Sequence, residues 1–304
     1  MTSSKARDKN KIDTELKIRE IESKTEEEKS VPYYEKLILS DKNKAISWVE
    51  YASYILDTLN VESARKIFKR AIEAIDITNT KEKLSIYVAF MNFENIYGDT
   101  ESFKQIVEAA LEKNDKKKVY SHLIVIYNSS KKYQMANEIY KILVKEYFND
   151  VDIWKKYIDF AVETQIEDGK EVLGKAMQVL NKKNHLEVTM SYAMSLYKAK
   201  ECEKARDVFD SILKSLPKRK DIWFVYCDKE CKFGSVDKAR KIYERMIEVP
   251  FKKNALKSVI KKYLEFEKDN MKSEKDFNKA KEKAQKIIQE RMEIDDEEED
   301  NQDE

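Results

Sequence analysis

Few side chains in this chain have the types and spacing that chemistry needs. Cys227 and Cys231 stand four residues apart, one helical turn, so they could share a metal ion. Zinc usually takes four ligands, and no Cys/His pair stands nearby to supply the rest. Cys202 is a third cysteine, and His122 and His185 are each isolated in sequence. The expectation is therefore no metal and no cofactor. Nucleophilic catalysis lacks its frame as well, because no Gly-x-Ser-x-Gly, no phosphate loop and no His-Glu-x-x-His is read in the sequence. The residues predict a protein that is not an enzyme and has no small-molecule substrate.

Cations offer more. Arg65, Arg206 and Arg240 each follow an alanine in a similar local pattern. They could form a ladder for RNA, or each could pair with an acid on a neighbouring helix, such as Glu230, and the structural pairing is the simpler expectation. Lysines also gather. Lys218, Arg219 and Lys220 form one cluster, Lys252, Lys253, Lys257, Lys261 and Lys262 a second, and Lys116, Lys117 and Lys118 a third. Such clusters are either ordinary solvated surface or contacts for RNA phosphates or an acidic partner segment. No aromatic residue is interleaved with them, so base stacking is not indicated. The candidate contacts for a partner or RNA are Lys218, Arg219, Lys220, Lys252, Lys253 and Lys257.

These residues need elements to position them. The 304 residues include only 4 Gly and 3 Pro, too few for a fold of tight turns, so helices joined by short polar loops are expected. Charged residues make up 38%, yet 59 Lys and Arg balance 58 Asp and Glu to a net charge of +1, which leaves local patches and no global basic field. The acidic run at the C-terminus, from about residue 293 to Glu304, cannot bury anything and is expected to be a disordered tail. Residues 1–30 read as a charged lead-in, partly helical or disordered. Three cysteines in a chain this long argue against a disulfide framework and for a reducing compartment. The start of the chain carries no apolar signal segment, and no membrane-spanning stretch is present.

A repeat organises residues 31–292. An aromatic or large apolar residue recurs with partners three and six positions later. Trp48, Tyr51 and Tyr54, Tyr87, Phe90 and Phe93, Trp154, Tyr157 and Phe160, and Trp223 and Tyr226 show it clearly. Weaker copies begin at Tyr120 and Thr189, and the last runs Ile260, Tyr263, Phe266. Successive leading positions are 39, 33, 34, 35, 34 and 37 residues apart. A second half follows in each copy, as in Ala64-Arg65 with Ile67, Phe68 and Ala71. Both halves have helical spacing, and Gly98 and Gly234, each eleven residues after its leading aromatic, fit the C-terminal cap of a first helix. The fold class predicted is all-α, a right-handed α-solenoid of about seven helix pairs, in which the repeat aromatics are packing residues.

A period near 34 residues with Trp-x-x-Tyr in the first helix and Ala-Arg-x-x-aromatic in the second resembles the half-a-TPR (HAT) repeat, found in scaffolds of RNA maturation. The segment with Val31-Pro32, Tyr34-Glu35, Leu37-Ile38, Trp48 and Tyr51 resembles the entry to the C-terminal HAT domain of the ribosomal-RNA-processing protein five family, called programmed cell death protein eleven in animals. Leu84 to Tyr87, Asn92 to Asn95, Asn184 to Val188, Leu216 to Trp223 and Tyr263 to Glu267 resemble its later repeats in order. The long array of S1-type RNA-binding barrels in that family has no counterpart among these residues. The resemblance implies a non-catalytic scaffold in the nucleolus, acting in pre-rRNA processing within the small-subunit pre-ribosome. It implies pre-ribosomal assembly proteins as partners, pre-rRNA or a small nucleolar ribonucleoprotein held directly or indirectly, and no membrane. A HAT scaffold of splicing or mRNA 3′-end processing is the nearest rival. A TPR co-chaperone or adaptor is a second, but its basic clamp positions are here mostly apolar or acidic.

Overall fold

A computed structural model describes residues 30–270 and 274–300. Among them are fifteen helices and no strand. Helix α1 (Val31–Ser40) leads. Seven pairs follow: α2 (Ala45–Thr58) with α3 (Val61–Ala74), α4 (Thr80–Tyr97) with α5 (Thr100–Lys113), α6 (Lys116–Ser129) with α7 (Tyr133–Glu146), α8 (Val151–Thr164) with α9 (Gly169–Val179), α10 (Lys182–Lys198) with α11 (Cys202–Ser215), α12 (Lys220–Phe233) with α13 (Val236–Glu248), and α14 (Lys253–Asn270) with α15 (Glu274–Asp300). These are the seven predicted copies. The lead-in expected over residues 1–30 lies outside the described residues except for Ser30, whose hydroxyl caps α1. The acidic stretch expected as a tail from residue 293 falls at the end of α15, whose bounds run to Asp300, and residues 301–304 lie outside the described residues. Glutamate is a good helix former, and extension of an existing helix avoids the cost of nucleation.

The helices form two compact units, one up to Ile139 and one from Tyr140. Within each, a single contact rule repeats. The aromatic ring of a second helix stacks on the ring three residues after the leading residue of the next first helix, or six after it in the case of Tyr243 on Phe266. Phe68 stacks on Phe90 with centroids 5.1 Å apart in the first unit. In the second unit Tyr140 stacks on Tyr157 at 5.1 Å and Phe209 on Tyr226 at 4.8 Å. Such ring pairs add about 0.5–1.5 kcal/mol beyond their buried area. Trp48, Tyr51, Tyr87, Trp154, Tyr157, Trp223, Tyr226 and Tyr263 are all buried, as packing residues should be.

Helix α1 obeys the same rule. Tyr34 stacks on Tyr51 at 5.4 Å, and Glu35 accepts from Arg70 of α3 at 2.8 and 3.0 Å. In the second unit Asp210 accepts from Arg245 in the same way at 3.0 Å, one residue after Phe209. Helix α1 therefore stands where the second helix of a preceding pair would stand.

The turns inside five of the pairs come in two designs. Lys131, Gln165 and Lys200 turn the chain with positive φ of 57°, 56° and 65°. Gly98 and Gly234 do cap α4 and α12, but at φ of −90° and −106°, so a left-handed backbone is not why glycine stands there. A Cβ on Gly98 would lie 2.0 Å from Glu94 Oε2, and one on Gly234 2.0 Å from Glu230 Oε1. The glycines leave room for buried carboxylates.

Candidate nucleic-acid interface

Those carboxylates account for the three arginines. Arg65 holds Glu94 at 2.6 and 3.0 Å, Arg206 holds Glu230 at 2.9 and 2.7 Å, and Arg240 holds Glu267 at 2.8 and 3.0 Å. Each glutamate is buried and sits seven residues after the leading residue of its helix. Each arginine reaches it from the preceding pair, so the contact is a clasp between neighbours. Where Lys104 or Leu173 replaces the arginine, Tyr127 or Leu196 replaces the glutamate of the next copy. A buried carboxylate without its guanidinium would be costly, so the two residues occur together. Glu230 is the most enclosed. Burial pushes its pKa up, but the Arg206 guanidinium, the Tyr197 hydroxyl at 2.7 Å and the Ser235 amide at 3.0 Å outweigh that and hold it below the usual carboxylate value. The arginines are thus committed to packing and form no ladder for RNA.

The tryptophans carry a second tie that their reading as packing residues did not include. Trp48, Trp154 and Trp223 each donate their indole N–H to the backbone carbonyl six residues earlier: Lys42 at 2.9 Å, Phe148 at 2.7 Å and Pro217 at 2.8 Å. This bond pins the joint between pairs to the first helix, which a phenylalanine could not do. The recurring separation of the tryptophan from a polar joint was the only sequence signal for it.

The cysteines offer no reactive centre. Cys227 is buried, and burial raises its pKa well above that of a free thiol, away from the thiolate that a ligand or nucleophile needs. Cys202 lies half-buried against the Phe233 carbonyl. Among the described residues no three of His, Cys, Asp or Glu gather as a metal site. His185 sits 3.0 Å from the Leu180 carbonyl, and His122 is exposed. Gly169 and Gly174-Lys175 have phosphate-loop spacing, but Ala176 stands where such a loop needs Ser or Thr, and the segment is helix α9. No helix among the described residues is long and apolar enough to cross a membrane.

The lysine clusters remain. Neighbouring first helices run the same way, since Lys155 near the start of α8 bonds Glu187 near the start of α10, and Lys198 near the end of α10 reaches back to Asp159 of α8. The starts of α12 and α14, two helices further along the same unit, share one edge by the same alternation. Lys262 of α14 lies 5.0 Å over the Phe224 ring of α12. Lys218 and Lys220 at the start of α12, and Lys252, Lys253 and Lys257 at the start of α14, are exposed and have no ion-pair partner among the described residues. Arg219 differs: its guanidinium is held by Asp221 at 2.9 and 2.8 Å, which offsets its charge. The third cluster starts α6 in the other unit, where Asp115 caps the helix. The structure thus places five of the six candidates as free cations on one edge.

Paired helices with a leading aromatic, stacked by recurring ring contacts, define a HAT/TPR-like repeat protein. No protein-family model matches the chain. The mouse protein RRP5 homolog is 34% identical over 257 residues, covering 84% of this chain and 14% of that protein. The rRNA biogenesis protein RRP5 of Arabidopsis thaliana is 32% identical over 237 residues, 77% of this chain and 12% of that one. The human Crooked neck-like protein 1 is more distant, 22% identical over 251 residues, 81% of this chain and 26% of its own length. Over these repeats the chain belongs to the RRP5 family. It spans about a seventh of the length of the mouse relative.

Proposed function

We propose that the chain is a non-catalytic repeat scaffold of ribosome biogenesis, acting in pre-rRNA processing within the small-subunit pre-ribosome, in the nucleolus. The observation that carries this is the family itself: proteins named for rRNA biogenesis match it at up to 34% identity, whereas the human Crooked neck-like protein 1 matches at 22%. The structure supports a scaffold because its buried carboxylates are spent on clasps and its cysteines are packed or isolated. Partner proteins of the pre-ribosome supply most of its hold, laid along the first helices. The cations Lys218, Lys220, Lys252, Lys253 and Lys257, with Arg219 beside them, make the electrostatic contact.

Affinity purification of the tagged chain, with sequencing of co-purified RNA, tests the reading. Recovery of pre-rRNA and small nucleolar RNA is expected. Recovery of spliceosomal small nuclear RNA without pre-rRNA would replace it with the splicing scaffold.

A further inference from the structure

Helix α1 is a second helix with no first helix of its own among the described residues. Its ring, Tyr34, stacks forward on Tyr51. In complete pairs the residues one before and three after that ring are covered too. Ile67 and Ala71 around Phe68 of α3, and Ile242 and Met246 around Tyr243 of α13, are all buried. The corresponding residues of α1 are Tyr33, which is 42% exposed, and Leu37, which is half-buried. Helix α2 is open in the same register. Its Ile46 is 51% exposed where α10 carries Glu187, the residue that meets the preceding first helix through Lys155. Three apolar residues are thus open where a preceding first helix would lie. The outer face of a terminal repeat is normally polar, so an apolar one calls for a cover.

The sequence carries a candidate at the right distance. Leading residue and ring are twenty residues apart in Trp48 and Phe68, Tyr120 and Tyr140, Thr189 and Phe209, and Trp223 and Tyr243. Counting twenty back from Tyr34 gives Thr14, and threonine also leads at Thr189. Four and seven residues after the leading one, α2 buries Ala52 and Ile55, and α8 buries Ile158 and Ala161. Ile18 and Ile21 hold those two positions after Thr14. Three and six residues after the leading one stand the residues turned toward the preceding ring, as Tyr157 and Phe160 are toward Tyr140. After Thr14 these are Lys17 and Glu20, which offer no further ring a partner, as the polar outer face of a terminal repeat requires. Helices α2, α8 and α12 start three residues before their leading residue and run for 14 residues. The same bounds around Thr14 are residues 11–24.

We propose that residues 11–24 dock on this flank as the first helix of an eighth pair, with Ile18 and Ile21 against Tyr33 and Leu37 of α1. Residues 25–30 connect the two. Helix α1 begins three residues before its ring, whereas α3 and α13 begin seven before theirs. Pro32 has no N–H for a carbonyl four residues earlier, which accounts for the late start. The connection therefore covers about 6 Å in place of four helical residues, well within the reach of six residues. The pair closes within one chain and covers the apolar end of the scaffold. A second copy or a separate partner on the same flank is the alternative that the test separates.

Hydrogen exchange of the purified full chain, read by mass spectrometry, tests this. An isolated helix of this length is marginal in water, so protection over residues 11–24 requires packing. Amides there should exchange at least about tenfold more slowly than in a peptide of residues 1–30 alone, at any chain concentration. The variant I18E/I21E should lose that protection, while amides of α12, in the other unit, exchange as before. The variant I12E/L16E alters equally apolar residues on the opposite side of the same helix and should keep it. Exchange at the rate of the free peptide overturns the proposal and leaves the flank to a separate partner. Protection that survives in I18E/I21E, or that I12E/L16E removes as fully, also overturns it. So does protection that disappears on about hundredfold dilution, which would put a second copy on the flank.

Discussion

Two ends of the same helices behave differently in the unit from Tyr140 onward. Where α12 and α14 lead toward their partner helices, the chain spends charge on structure: Glu230 and Glu267 are buried and clasped by Arg206 and Arg240. Where they begin, it leaves charge unspent, with Lys218, Lys220, Lys252 and Lys253 exposed. Helices α4, α6 and α8 begin on side-chain caps, Asn79, Asp115 and Asp150. The difference teaches that charged residues at equal density can be fold or site. Burial and partnership, not composition, decide which.

The contrast is broken most directly at the clasps. Arg206→Ala should destabilise by about 3–5 kcal/mol, since Glu230 is left as an uncompensated buried charge, and denaturant unfolding measures it. The clasp also has a pH signature. The folded pKa of Glu230 is depressed below its ordinary 4.5, so its contribution is present above that pH and is lost as pH falls through the folded value. Unfolding midpoints followed from about pH 6 to about pH 3 should therefore fall less steeply in Glu230→Gln than in the unsubstituted chain.

The glycine beside the clasp sharpens the contrast at smaller cost. Gly234→Ala places a methyl against Glu230 and should destabilise by about 1–3 kcal/mol. Gly174, exposed in α9 with nothing within 4 Å of an added Cβ, is the opposite case. Gly174→Ala should stabilise by about 0.5–1 kcal/mol. At the other end of the helices, neutralising Lys218 and Lys220 should change stability by no more than about 0.5 kcal/mol. Thermal melts of these variants order the effects.

Much of this was legible in the sequence, because the period of the aromatics is long and each copy repeats the same contact. Trp154 and Trp223 lead buried helices as their spacing implies. The pairing of Arg206 with Glu230 followed from one arginine and one acid on adjacent helices. The rest was hidden where one residue type serves two ends. Gly98 and Gly234 sit at helix caps as read, but the carboxylate that demands them belongs to a side chain folded back from four residues away. Arg219 reads as part of a basic cluster, and only geometry shows it bound to Asp221 two residues on.

Charge reversal of the edge tests the central claim, that this scaffold separates its fold from its binding surface. The variant carries K218E, K220E, K252E, K253E and K257E, with Arg219 and the three clasps left intact. It should unfold within about 0.5 kcal/mol of the unsubstituted chain, since exposed residues away from packing contribute little. Its recovery of pre-rRNA from cells should be weakened. A variant that folds as well and still recovers pre-rRNA at the unsubstituted level would contradict the account and move the binding face to the inner surface of the first helices.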